Sequence, residues 1–362
     1  MTKVFEALSF PCGKTMTNRL MLAPLTNTQS EVDGRLSGEE IHWLSMRAKG
    51  GFGLTMTAAA HVNPLGQGFA GQLGIFSDKH LPGLSKLADK IKSQGSLAVV
   101  QLHHAGFRAP REVTGDIPVA PSPSEKFGAR GLSHGEVQSL IEDFIRGAER
   151  AKQAGFDGVE IHGAHSYIIC QFLSAEFNRR TDEYGGSLKN RSKVLFDIIS
   201  GIRKRCGVGF LLGVRLSPER HGILLEEAVD TAKALFAAQE IDFLDISAWD
   251  VFKEPVAPAL QGRSLLSYFT TLDRGDVRLG AAGKVYMPED IQYCFEQGLD
   301  FSLLGRAGIL HHNYPQLLRD NANFVPNRTP VSREYLLAEG LSEKFLDYIN
   351  GMWPDFIKEP EL

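Results

Sequence analysis

Cysteine is scarce and scattered. Cys12, Cys170, Cys206 and Cys294 form no C-x-x-C pair, which disfavours a zinc ribbon, an iron–sulfur cluster or a disulfide framework and fits a reducing cytoplasm. Long apolar runs are missing too. Nothing approaches the ~20 residues of a membrane span, and residues 1–10 hold no apolar stretch of signal-peptide length. Lys and Arg nowhere run five together and the formal net charge is -4, so neither nucleic acid nor a membrane surface is an expected partner. Small molecules, or copies of the chain itself, are. No Pro-, Gly- or Ser-rich linker divides the 362 residues, which favours a single domain over residues 1–362. A dinucleotide fingerprint is also lacking. Gly207-Val208-Gly209 with Gly213 has the wrong spacing, and these glycines enter a strand where the fingerprint must leave one for a helix.

What is present is a repeat of apolar strand, loop, helix and turn. Candidate strands cover residues 19–25, 52–58, 97–102, 156–161, 209–216, 241–246, 277–281 and 301–304. Helical patterns lie between them, among them residues 81–93, 136–154, 189–205, 225–238, 288–297 and 309–320. Glycine stands at five of six helix-to-strand junctions, where a left-handed residue ends a helix; the junction before Ile241 lacks it. Eight strands each followed by a helix predict an α/β fold, a (β/α)8 TIM barrel over residues 18–320. Residues 1–17 suit an N-terminal hairpin cap, and residues 321–362 a C-terminal helical tail.

Ligands bind such barrels at the carboxyl ends of the strands. Past the fourth strand lies Glu160-Ile161-His162-Gly163-Ala164-His165-Ser166-Tyr167. One helical turn there would set His162 and His165 on one side, with Tyr167 close by, so that two donors and a phenol converge on one polar group. A lone histidine at a strand end is as often structural as catalytic; the grouping is what marks these three. The other strand ends contribute Thr26, Ala60, Gln101 to His104, Arg215, Ser247, Gly283 and Gly305-Arg306. Carboxylates are too few in this set for a hard metal ion. Glycines after strands seven and eight beside Arg306 make a phosphate grip, against the alternative that Arg306 merely opens a helix. Histidines near several strand ends keep a metal-dependent hydrolase barrel as the alternative, although the first strand ends Ala23-Pro24-Leu25-Thr26 with none of the paired histidines such a site needs.

Several stretches in order resemble the Old Yellow Enzyme family of flavin-dependent ene-reductases. They are Asn18 through Thr26, Gln101-Leu102-His103-His104-Ala105-Gly106, Glu160 through Tyr167, Phe172-Leu173-Ser174, and Asn178 through Ser187 ending at Asn190-Arg191. The resemblance implies the same barrel, bound FMN, and NADPH or NADH as a transient reductant sharing one pocket with the acceptor in a ping-pong cycle. It implies Ala23, Pro24, Leu25, Thr26 and Ala60 along the flavin, Gln101 and Arg215 at its pyrimidine edge, and Gly283, Gly305 and Arg306 at its phosphate. His162 and His165 would hold the acceptor's oxygen and Tyr167 would be the proton donor; no metal is implied. Thr28, His61, Phe69 and Trp249 are expected to shape substrate choice. Phe107, Ala175, Lys189 and the Ala281-to-Tyr286 loop depart from the family's usual pattern.

Overall fold

All eight expected strands form, and in the computed structural model, which describes residues 2–358, they close into one parallel barrel. They are β1 (Leu20–Leu22), β2 (Leu54–His61), β3 (Leu97–His103), β4 (Gly158–Gly163), β5 (Leu211–Leu216), β6 (Phe243–Ser247), β7 (Arg278–Ala282) and β8 (Phe301–Leu304). Strands pair in sequence order, and β8 returns to β1 with Leu303 beside Met21. Among the helices that follow the strands are α1 (Gly38–Lys49), α2 (Leu81–Lys92), α3 (His134–Gln153), α4 (Lys193–Cys206), α5 (Leu225–Ala238), α6 (Ser267–Thr270), α7 (Pro288–Glu296) and α8 (Tyr314–Asp320). α3 begins where Ser133 and Glu136 cap one another's backbone. At the junction without glycine, Gln239 itself takes the left-handed conformation, with φ 52°.

Two expected helices are each broken. Residues 189–205 divide at Ser192 into a short helix, Leu188–Arg191, and α4. Residues 309–320 divide into Arg306–Leu310 and α8, because Pro315 in the first turn of α8 cannot donate to the turn before it. The tail supplies a short helix, Arg333–Ala338, and then α9 (Glu343–Met352); residues 359–362 of the expected tail lie outside the described residues. No described helix is long and apolar enough to cross a membrane.

Side chains alternate along each strand, and the inward set changes character with height. Val99, Leu211, Phe243 and Phe301 form an apolar floor. Higher on the same faces stand Gln101, Glu160, Asp245 and, beyond Gly213, Arg215, and at the upper ends His103, His162 and Ser247. The expected hairpin, Leu8–Ser9 against Thr15–Met16, stops the lower end, where Phe10 meets Phe243 at 5.8 Å between ring centroids. Only the upper end is left for a ligand.

The floor is fitted by pairing large rings with glycine on the neighbouring strand. A Cβ on Gly213 would lie 2.0 Å from the Phe243 ring, and one on Gly280 equally close to Phe301. Gly213→Ala is therefore expected to cost about 1–3 kcal/mol through overpacking, read as a lower urea midpoint. An unchanged midpoint would mean that the floor has slack.

Candidate active site

At the upper end two adjoining cavities, of about 210 Å³ and about 300 Å³, share Pro24, Leu25, His165, Arg215 and Trp353 in their walls. The first is also lined by Thr26, Ala59, Gln101, His103, His162 and Tyr167. The second holds Ala23, Ser247, Gly283, Gly305 and Arg306. Thus all but one of the expected site residues meet here. The exception is Ala60, whose side chain is fully buried in the outer core while Ala59 faces the cavity. The β2–β3 pairing is irregular between Met56 and Ala59, and that slip reverses which alanine points inward.

Beneath the first cavity Arg215 is buried with a compensating carboxylate. Its Nε lies 3.1 Å from Asp245 Oδ2, an ion-pair distance at an angle too poor for a hydrogen bond, and its Nη2 donates to Ser247 Oγ at 3.1 Å. Glu160 is fully buried beside them and accepts from Gln101 Nε2 at 2.7 Å. Burial first, and then the Asp245 charge, push the Glu160 carboxyl up from its ordinary value, with Arg215 opposing. Burial raises Asp245 as well, to about 6, but Arg215 opposes it, so Glu160 is the more readily protonated of the two and Asp245 the counter-charge to Arg215.

From Ser247 a chain of rings runs across the rim. Ser247 Oγ is 2.6 Å from His165 Nε2, His165 Nδ1 is 2.9 Å from His162 Nε2, and His162 Nδ1 is 3.1 Å from His103 Nδ1. Burial holds all three imidazoles well below the usual histidine value, and Arg215 further lowers His162 and His165. They are neutral at neutral pH. Tyr167 packs against His103 and His162, at 4.3 and 4.9 Å between centroids.

His165 does not arrive by the helical turn expected from the spacing. His162 still belongs to β4, and His165 and Ser166 are both left-handed, with φ 61° and 58°. Such a turn needs outside support, and it has it. Ser217 Oγ accepts from the His165 N–H at 3.0 Å, Arg108 Nη1 donates to the His165 carbonyl at 2.7 Å, and Gln171 Nε2 donates to the Ser166 carbonyl at 2.7 Å. Arg108 also lies 5.0 Å above the Tyr167 ring. Phe107 stacks on Phe127 at 4.0 Å, and the cation over Tyr167 comes from the neighbouring Arg108.

Of the residues expected to shape substrate choice, Phe69 and Trp249 line the cavities. His61 does not; it is buried, bonded through Nδ1 to the Asn63 carbonyl and packed on Phe76. Thr28 bonds the Asn27 carbonyl and is also absent from the walls. Tyr348 and Trp353, from the tail, close the cavity from above, and no sequence signal tied that tail to the site.

The walls suit a flat heteroaromatic ring with an anionic arm. Gln101 and Arg215 provide a polar edge, and Pro24 and Leu25 an apolar face. At the far end Arg306 lies between the rings of Tyr286 and Trp353, at 5.0 and 5.8 Å, with no carboxylate partner among the described residues. A Cβ on Gly305 would meet only Leu25, at 3.7 Å, so a ligand can approach its backbone. Gly283 has a different reason: a Cβ there would strike the Trp249 backbone at 2.7 Å.

Residues 3–263 match the family model described as NADH:flavin oxidoreductase / NADH oxidase. The chain belongs to that family. It is 36% identical over 323 residues to a probable NADH-dependent flavin oxidoreductase, YqiG, of Bacillus subtilis, covering 86% of each chain. With an NADPH dehydrogenase of Halalkalibacterium halodurans it shares 36% identity over 279 residues, 75% of this chain and 81% of that one. The solved old yellow enzyme homologue from Zymomonas mobilis superposes with a TM-score of 0.81 at 27% identity, over 94% of this chain and 99% of that one. Some relatives are much longer; the chain spans 35% of the NADH:fumarate oxidoreductase of Klebsiella pneumoniae. Family members of this type are NAD(P)H-dependent oxidoreductases carrying FMN, and so is this protein. The hydrolase alternative is left without support.

Because Glu160 has a raised value in the folded state, it holds its proton in the folded protein from the ordinary value of 4.5 upward where the unfolded chain has lost it, and through this group raising pH there costs stability. Glu160→Gln removes that cost. The stability of the variant relative to the parent, from urea unfolding, should rise as pH increases above about 4.5; a pH-independent difference would contradict a neutral Glu160.

Proposed function

We propose that the protein reduces the activated C=C bond of α,β-unsaturated carbonyl or nitro compounds. The observation that carries this reading is the convergence of His162, His165 and Tyr167 on the cavity whose wall includes Gln101 and Arg215. Bound FMN, once reduced by NADH or NADPH, supplies the hydride to the β-carbon. Ala23, Pro24, Leu25, Thr26 and Ala59 would lie along its ring, Gln101 and Arg215 at its polar edge, and Gly283, Gly305 and Arg306 about its phosphate. A fixed guanidinium at that edge favours the reduced, anionic cofactor.

The acceptor's oxygen belongs between the two imidazoles. His162 Nε2 and His165 Nδ1 now bond one another at 2.9 Å, and an oxygen entering there replaces that bond with two donated ones. Charge gathers on this oxygen as the β-carbon takes up hydride. Two neutral donors stabilise it, one of them the nitrogen that accepts in the resting bond and takes up its own hydrogen when the oxygen enters, and losing one donor of this kind costs about 2.7–4 kcal/mol. Tyr167 then gives its phenolic proton to the α-carbon. Arg108, above the Tyr167 ring, offsets the negative charge left on the phenol until solvent returns a proton. No second nicotinamide motif occurs in the sequence, so reductant and acceptor would use the same cavity in turn.

Tyr167→Phe separates the two halves of the cycle. With a simple enone such as cyclohexenone, stopped-flow reoxidation of the reduced variant should slow by about 10²–10⁴-fold, the usual worth of a positioned general acid. Anaerobic flavin reduction by NADH or NADPH should keep its rate. Equal loss in both steps, or none in either, would contradict the assignment.

A further inference from the structure

Donation to the acceptor's oxygen needs His162 to carry its hydrogen on Nε2, the nitrogen that faces His165 and the incoming oxygen. A neutral imidazole has one N–H, and its position is set by whatever bonds the other nitrogen. For His162 that partner is His103, the last residue of β3, with Nδ1 to Nδ1 at 3.1 Å. Two directions are open. If His162 donates, His103 must carry its hydrogen on Nε2; if His103 donates, its Nε2 is a bare lone pair.

The surroundings of His103 decide between them. Its side chain is buried, and Nε2 has no hydrogen-bond partner among the described residues. His103 stands in the wall of the first cavity, with Gly68 beside Nε2, where an added Cβ would lie at 3.6 Å, and with its flank packed edge-on against Tyr167 at 4.3 Å. In folded proteins a buried N–H is left orphaned more rarely than a buried acceptor is left under-satisfied, which favours the bare Nε2. The other end of the chain imposes no such choice. His165 Nε2 meets Ser247 Oγ, a hydroxyl that can rotate to donate or accept.

Building on the proposed function, we infer that His103 is a positioning residue that donates Nδ1–H to His162 Nδ1 and so fixes His162 as the Nε2–H tautomer, the form that can donate to the acceptor's oxygen. His103 acts on the reaction through His162, while Ser247 leaves His165 free to adapt.

The test is a nitrogen-15 histidine spectrum of the FMN-loaded protein, which distinguishes protonated from unprotonated ring nitrogens, recorded for the parent, His103→Phe and His103→Gln. The expected parent spectrum has His162 protonated at Nε2 and bare at Nδ1. His103→Phe, which has no donor, should mix or reverse that pattern and lower kcat/KM for cyclohexenone by about tenfold or more. His103→Gln keeps an N–H donor and should restore both. A parent spectrum with His162 protonated at Nδ1 overturns the inference, as does a His103→Phe protein with unchanged pattern and turnover. Should His103→Phe fail to fold, the parent spectrum and His103→Gln still decide it. The spectrum needs no turnover, so a parent that reduces no enone would overturn the proposed function while the tautomer of His162 still judges His103.

Discussion

A guanidinium buried at the mouth of a β-barrel is the constraint on which the rest of the site turns. Arg215 stands above an apolar floor, and a buried charge there is costly unless it is paired. Asp245 on the next strand pairs it. With that charge balanced, a second carboxylate in the same space cannot also ionise cheaply, and Glu160 becomes a neutral prop for Gln101. Arg215 also fixes Ser247, Ser247 meets His165, and the ring chain follows to His103. The polar edge that receives the cofactor and the nitrogens that receive the acceptor are therefore one bonded assembly, held by four adjacent strands.

Such an assembly depends on the register of the barrel. β3, β4 and β6 each present an inward series that ends in an imidazole or hydroxyl above an amide or carboxyl group, and β5 brings Arg215 in above Leu211 and Gly213. A one-residue slip would exchange those faces. Glycines opposite Phe243 and Phe301 let the floor fill without forcing the strands apart. The hairpin stops the lower end, so the ligand side is set by the fold before any loop is considered.

Much of this was legible in the sequence. Strand existence followed from apolar runs bounded by glycine turns, and His162, His165, Tyr167, Gln101 and Arg215 were marked by lying at strand ends. The errors were of phase and of distance along the chain. In β2 Ala59 and not Ala60 faces the cavity, because an irregular step there leaves no mark in a run of three alanines. Spacing cannot distinguish a helical turn at His165 from a left-handed bend; the bend is held by Ser217 and Arg108, which are remote in sequence, and by Gln171 on the short helix Ile168–Leu173 that follows it. Tyr348 and Trp353 arrive from a tail whose docking depends on tertiary packing alone. Gly283, marked for a phosphate, is also demanded by the passing backbone of Trp249.

The most direct measurement is the visible absorption spectrum of the purified protein during anaerobic titration with NADH or NADPH. The account predicts the bands of bound oxidised FMN, bleaching as the nicotinamide is added and returning when cyclohexenone follows. A protein that stays colourless after incubation with FMN would contradict the cofactor site built from Arg215, Gln101 and Arg306. Bands that bleach with nicotinamide but do not return with an enone or a nitroalkene would leave that site standing and overturn the roles given to His162, His165 and Tyr167.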